Sequence, residues 1–300
     1  MSDSTAAARL RVLAAALTFS VGGAGIKACA LTSWQVASFR SGVAALAIMI
    51  FLPESRRGWT WRAWVVGVAY AATVTLFVLA NKLTTSANTI FLQSTSPLYI
   101  LLLSPWLLKE SFHSRDFAIM AVVGLGMAFF FIGAEQPLAT APDPFHGNVL
   151  AVASGFTWAL TIMGLRWMGR GRAGESASAL PAVVVGSWIS FFVGLPLALP
   201  VAQSLPQDWA VIGGLGTIQI GLAYLFLTSG IKHVPALEAS LLLLLEPVLN
   251  PIWAWIVHRE VPSGWSLWGG AIILAASLAK TWLDSRAARL RAEGVPPASD

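Results

Sequence analysis

The sequence predicts an all-α membrane protein, with ten transmembrane helices arranged as two inverted five-helix repeats. Three observations carry this. Of the 300 residues, 56% are hydrophobic and 11% charged, against roughly 25% charged in an ordinary soluble domain. Ten stretches are apolar and long enough to cross about 30 Å of hydrocarbon, and they use nearly the whole chain. Finally, Lys82, Pro97 and Lys109-Glu110 recur 150 positions later as Lys232, Pro247 and Arg259-Glu260. An offset of half the chain is an internal duplication.

The first span, 10–30, starts after Arg9 and Arg11 and carries Lys27 near its far end. It is longer than the apolar core of a signal peptide, and nine more spans come after it, so an uncleaved first helix is expected. The second, 33–52, contains Arg40; the third, 62–81, opens beside Trp59, Trp61 and Trp64. The fourth, 86–108, holds Pro97, and the fifth is 116–134. The sixth, 147–168, has Trp158 near its middle, and the seventh, 179–200, is almost wholly apolar around Trp188. The eighth, 209–231, carries Gln219 and Tyr224; the ninth, 236–257, carries Glu246 and Pro247; the tenth is 264–283. The repeats are therefore expected at 10–134 and 147–283, with a cytoplasmic tail at 284–300.

The basic charge is a topology signal. With the N-terminus in the cytoplasm, fifteen Lys and Arg fall on that side and three, Lys27, Lys82 and Arg259, on the other. This positive-inside bias places both chain ends in the cytoplasm, so the net charge of +5 calls for no nucleic-acid partner. Nine tryptophans (Trp34, Trp59, Trp61, Trp64, Trp167, Trp209, Trp265, Trp268 and Trp282) fall near span ends, where an indole buries its ring and wets its N–H. Cys29 is the only cysteine, which excludes an internal disulfide. The four histidines sit at span ends or in loops without metal-ligand spacing, and no nucleotide-binding or catalytic motif is present. No cofactor is expected.

Five spans per copy is an odd number, so the second copy enters the membrane from the opposite side. A weaker echo, Leu13-Ala14 and Phe19-Ser20 against Leu150-Ala151 and Phe156-Thr157, links the first helices of the two halves. Inverted repeats that exchange shapes give alternating access around a site near the midplane, the architecture of a secondary transporter. Gly22, Gly23, Gly25 and Gly213, Gly214, Gly216 are read as close-packing positions.

At residue level the chain resembles the drug/metabolite transporter superfamily, and more narrowly its ten-helix EamA-type exporters. The resemblance rests on Ala37-Ser38-Phe39-Arg40, on Ser96-Pro97-Leu98 with Leu108-Lys109-Glu110, and on Leu245-Glu246-Pro247-Val248 with Arg259-Glu260. It covers nearly all of 10–283. Within the family the chain is most similar to bacterial exporters of aromatic amino acids, which implies a multi-pass inner-membrane protein. Ser96 stands where the second half has Glu246, so the two halves do not use that position alike.

Glu246 lies ten residues into its span, about 15 Å deep, where a carboxylate needs a partner or water. Asn250 and Trp253 come next on the same helical face. Two readings stay open: a cavity wall that binds a substrate ammonium group or carries a proton, and a structural contact at the Pro247 bend. Pro97 and Pro247 each free the carbonyl four residues earlier, at Gln93 and Leu243, and read either as matched hinges or as fixed bends. Thr89, Gln93, Ser96 and Tyr99 form a polar stripe expected to face Glu246. Trp158, with Ser154 and Thr161 on its face, suits an aromatic ligand or plain packing; Tyr224 is a further lining candidate. Arg40 is expected to snorkel and, by the resemblance, to serve structure or gating; Lys27 reads likewise. Glu110 and Glu260 are expected to make local ion pairs with Lys109 and Arg259.

The expected function is export of small amphipathic, amino-acid-like metabolites through the lipid bilayer by a monomer, with proton coupling as one reading of Glu246. The alternatives are a broad drug efflux transporter and, in another class, a membrane-embedded lipid-handling enzyme or sensor. A cavity for phosphorylated sugars is disfavoured, because only Arg40 and Lys27 bring positive charge into the membrane.

Overall fold

The computed structural model describes residues 5–107, 114–132, 137–169, 179–234 and 236–292. Lys109 and Glu110 lie outside these residues. Among them, nine helices are long and apolar enough to cross a membrane, and a shorter apolar helix at Asp116–Ile132 supplies the tenth.

Four of the crossings are interrupted. The first is α1 (Thr5–Ser20) and α2 (Gly22–Ala28), followed by the continuous α3 (Ser33–Phe51) and α4 (Trp61–Leu83). The fourth is α5 (Ser86–Gln93) and α6 (Ser96–Leu107); α7 (Ser114–Ile132), α8 (Pro144–Gly169) and α9 (Leu180–Ala198) are single helices. The eighth is α10 (Pro206–Gly214), a π-helical segment (Leu215–Leu222) and α11 (Ala223–Gly230). The ninth is α12 (Ala236–Leu243) and α13 (Leu245–His258), and α14 (Gly264–Ala292) is the tenth.

The proline arithmetic accounts for two breaks. A proline ring takes the place of the N–H that would bond four residues back, and α5 ends at Gln93 while α12 ends at Leu243. These are the carbonyls freed by Pro97 and Pro247. Pro105, Pro196 and Pro251 sit inside α6, α9 and α13 without dividing them.

Packing mirrors the duplication. α1 meets α11 as α8 meets α4, and α1 meets α13 as α8 meets α5. α3 meets the π segment as α9 meets α4. Each contact is thus repeated by exchanging the halves, as inverted repeats require. With ten crossings, Thr5 and Ala292 lie at the same end of the bundle. Seven of the nine expected anchors, including Trp61, Trp268 and Trp282, are exposed, as is Trp106.

Glycine sets the closest approaches. A Cβ on Gly186 of α9 would come within 2.5 Å of the Gly67 carbonyl in α4 and 2.8 Å of the Tyr70 ring. Gly186→Val should therefore destabilise the protein by about 1–3 kcal/mol through overpacking, read as a lower unfolding temperature in detergent; an unchanged temperature would show that this crossing yields. Gly22 and Gly25 are packed against Gln219 and Leu215, but nothing lies within 4 Å of a Cβ at Gly213 or Gly214. The expectation of close packing fails at those two.

Candidate functional site

A cavity of about 450 Å³ opens where the helices are interrupted. Phe19 reaches it beside the α1–α2 break, and Ser94, Ser96 and Pro97 from the α5–α6 break. Leu243, Leu244, Glu246 and Pro247 come from the α12–α13 break, and Gln219 and Ile220 from the π segment. In hydrocarbon, backbone leaves the helix only where protein or a water-filled cavity receives its polar groups, so the four breaks and the cavity belong to one design. From α4, Tyr70, Thr73, Val74 and Phe77 share one helical face toward it, and α14 adds Ser277 and Thr281. The lining extends to Leu227 and Thr281, close to the bundle end that carries Thr5 and Ala292.

Of the residues singled out in the sequence, Gln93, Ser96, Pro97, Trp158, Tyr224, Glu246 and Pro247 line this cavity together. Four do not. Thr161 is buried, and its hydroxyl donates to the Thr157 carbonyl at 2.9 Å. Tyr99 packs edge-on against Phe156 with ring centroids 5.5 Å apart. Trp253 lines a second cavity of about 380 Å³, and its indole N–H donates to Ser20 Oγ at 2.9 Å. Asn250 is buried beside Gly23 and Ser86, with neither amide atom hydrogen-bonded. The physical reason is depth along one helix: all three residues share a face of α13, but only its first turn, with Glu246, reaches the cavity, and the turns that carry Asn250 and Trp253 pack on α2 and α1.

The polar groups of the wall are organised. Gln93 Nε2 donates to Ser154 Oγ at 2.8 Å, and Ser154 Oγ to the Thr73 carbonyl at 3.2 Å. Gln219 Nε2 donates to the Phe19 carbonyl at 3.3 Å, holding the α1 break against the π segment. Tyr70 hydrogen-bonds Tyr224 and Ser187 through its side chain. Tyr224 stands edge-on to Phe19 at 5.5 Å. Glu246 lies in the first turn of α13, where the helix N-terminus favours a negative charge.

Arg40 departs from expectation. It does not snorkel: it is only 3% exposed, and its side chain lines the cavity near Tyr70. The signal was present in α3, where Ala37, Ser41 and Ala44 mark a face of small residues on which Arg40 sits. Small residues bring that face against the bundle rather than toward lipid. Tyr70 and Thr73 were likewise legible as polar positions three apart in an apolar helix.

The opposite end of the bundle is sealed. Lys27 Nζ lies 3.0 Å from Glu260 Oε2, and the two side chains are 2% and 1% exposed. Lys27 also donates to the carbonyls of Thr84 and Thr140. The Ser86 N–H, at the start of α5, donates to Glu260 Oε1 at 2.6 Å. Lys82 donates to the Cys29 carbonyl, and buried Asp208 accepts from the Ala30 N–H at 2.7 Å and the Leu205 N–H at 2.8 Å. Glu260 thus reaches across the repeats to Lys27 instead of forming the local pair expected with Arg259. The reason is backbone: Arg259 adopts a left-handed conformation (φ 56°) that ends α13 and sends Glu260 inward.

Comparison with known proteins agrees with this architecture. Residues 7–132 and 145–280 each match the EamA-like transporter family. The chain belongs to that family. Membership indicates a transporter. The pseudopaline exporter CntI of Pseudomonas aeruginosa (strain UCBPP-PA14) is 23% identical to this EamA-like chain over 279 residues, 90% of this chain and 94% of that protein. The uncharacterized transporter YetK of Bacillus subtilis (strain 168) is 28% identical over 185 residues, 59% of this chain and 54% of YetK. A solved crystal structure superposes with a TM-score of 0.59 at 20% identity, covering 94% of this chain and 98% of its own; that likeness shows the fold.

Proposed function

We propose that this EamA-like transporter exports small amphipathic metabolites, with aromatic and other apolar amino acids as its substrates, by alternating access. The observation that carries the reading is the cavity at the four helix breaks. Its volume of about 450 Å³ is at the small end of the range for small-molecule sites. Phe19, Tyr70, Phe77, Trp158 and Tyr224 supply aromatic wall, and Glu246 supplies an acceptor for a substrate ammonium group. The lining runs toward the termini side while the Lys27–Glu260 network closes the far side. This is one of the two states alternating access requires, cytoplasm-facing if both termini are cytoplasmic. Exchange between states would bend the chain at Pro97 and Pro247. Export of a small metabolite is also what the name of CntI states for that relative.

Purified protein in liposomes should carry labelled phenylalanine or tryptophan with saturation and with competition by analogues. Absence of flux for every amino acid in a broad panel would remove this substrate class. Glu246→Gln tests proton coupling: acceleration of flux by an imposed pH gradient should disappear. A variant with the wild-type response to the gradient would show that Glu246 carries no proton.

A further inference from the structure

The cavity holds two opposite charges that do not satisfy each other. Among the described residues, no carboxylate lies within 4 Å of the Arg40 guanidinium, and its Nε has no hydrogen-bond partner. Glu246 has neither a hydrogen-bonding nor an ion-pairing partner among the same residues. Arg40, Tyr70, Tyr224 and Glu246 line the same cavity. Both charged side chains therefore reach one aromatic-walled space, Arg40 from α3 and Glu246 from α13.

A buried ion without a counter-ion is costly, and this protein shows elsewhere how it meets that cost. At the sealed end Lys27 and Glu260 are paired, and the pair is surrounded by backbone donors and acceptors. Arg40, buried, and Glu246, half-buried at the cavity wall, lack such provision, although both lie within membrane-crossing helices. The asymmetry points to counter-ions that arrive with the cargo. A guanidinium offers a planar fork that suits a carboxylate, and a carboxylate suits an ammonium group.

We infer that Arg40 binds the carboxylate of the solute while Glu246 binds its ammonium group, so that the site selects amphoteric molecules over singly charged ones. This rests on the cavity being the transport site, and it assigns Arg40 a specificity role in place of the structural one expected from its sequence context. A hydrophobic cation would leave Arg40 unpaired, and an organic anion would leave Glu246 unpaired. Once a solute fills the cavity, either mismatch leaves a charge at the cavity wall uncompensated, which is why the site should discriminate.

The test uses two matched trios: phenylalanine, phenethylamine and 3-phenylpropionate; and leucine, 3-methylbutylamine and 4-methylpentanoate. Binding is read as ligand-dependent stabilisation of the full-length protein in detergent, because singly charged analogues leak through liposomes. The wild type should bind the amphoteric member of a trio at least about tenfold more tightly than either singly charged one, equivalent to about 1.4 kcal/mol. Arg40→Gln should weaken the amino acid to the level of the amine while leaving the amine within about twofold; the retained amine binding also reports that the variant is folded. Arg40→Lys keeps the cation and should restore part of the amino-acid affinity. Glu246→Gln should give the mirror result with the acid.

If Arg40→Gln weakens amine and amino acid alike, or neither, the assignment is overturned, and the aromatic substrate reading survives if phenylalanine still binds the wild type. If only the leucine trio shows the pattern, the aromatic reading falls and the amphoteric one stands. Binding in neither trio counts against both.

Discussion

Lys27→Met should unlatch the sealed end of the bundle and destabilise the protein by about 3–5 kcal/mol, the usual consequence of removing one partner from a buried ion pair. The substitution leaves the Glu260 carboxylate 1% exposed without its counter-ion, and strips the Thr84 and Thr140 carbonyls of a donor. Thermal unfolding in detergent measures the loss. The chain also contains a native reporter: Cys29, its only cysteine, is buried at this end, and its carbonyl accepts from Lys82. Labelling of Cys29 by a membrane-impermeant maleimide should accelerate in Lys27→Met. The double variant Lys27→Met/Glu260→Met, which buries no charge at the pair, should recover much of the stability. Unchanged stability and unchanged labelling in the single variant would show that the pair does not hold this side closed.

Trp158→Ala should weaken transport of aromatic amino acids by about 10–100-fold, from the loss of roughly 1–3 kcal/mol of apolar and ring contact. Trp158 reaches the cavity from α8 and, like Tyr224, also packs against the buried cluster that holds Tyr70. The comparison that matters is between substrates. Alanine or serine, too small to fill the space against the indole, should lose much less than tryptophan or phenylalanine when initial rates in liposomes are compared. Equal losses across the panel would assign Trp158 to packing.

The positions of the crossings and the two proline breaks come from local chemistry. Hydrocarbon thickness sets the length of an apolar run, and an absent N–H at Pro97 or Pro247 frees a carbonyl at a fixed distance along the chain. Neither depends on what lies across the bundle, and the 150-residue recurrence reveals the duplication for the same reason. Glu246 was conspicuous because a carboxylate in a leucine run is costly wherever its helix packs. Trp158, Gln93 and Tyr224 were visible as polar or aromatic positions within their spans, and all three line one cavity. The break in the first crossing at Val21 and the π segment in the eighth left no such trace, because neither has a proline to mark it.

How far a cavity runs along a helix and which groups pair between halves belong to the tertiary structure. Helical periodicity placed Asn250 and Trp253 on the face of Glu246, yet the packing of α13 on α1 and α2 closes the cavity beyond its first turn and leaves those two outside it. The partnership of Lys27 with Glu260 joins residues 233 positions apart, and nothing in either neighbourhood announces it. Arg40 obeyed the same rule: its depth was legible, but whether it reached outward or inward depended on which face of α3 met the other repeat. Composition and periodicity act through neighbours in the chain, whereas a charge inside a membrane protein is settled by whichever distant group, or bound solute, completes its surroundings.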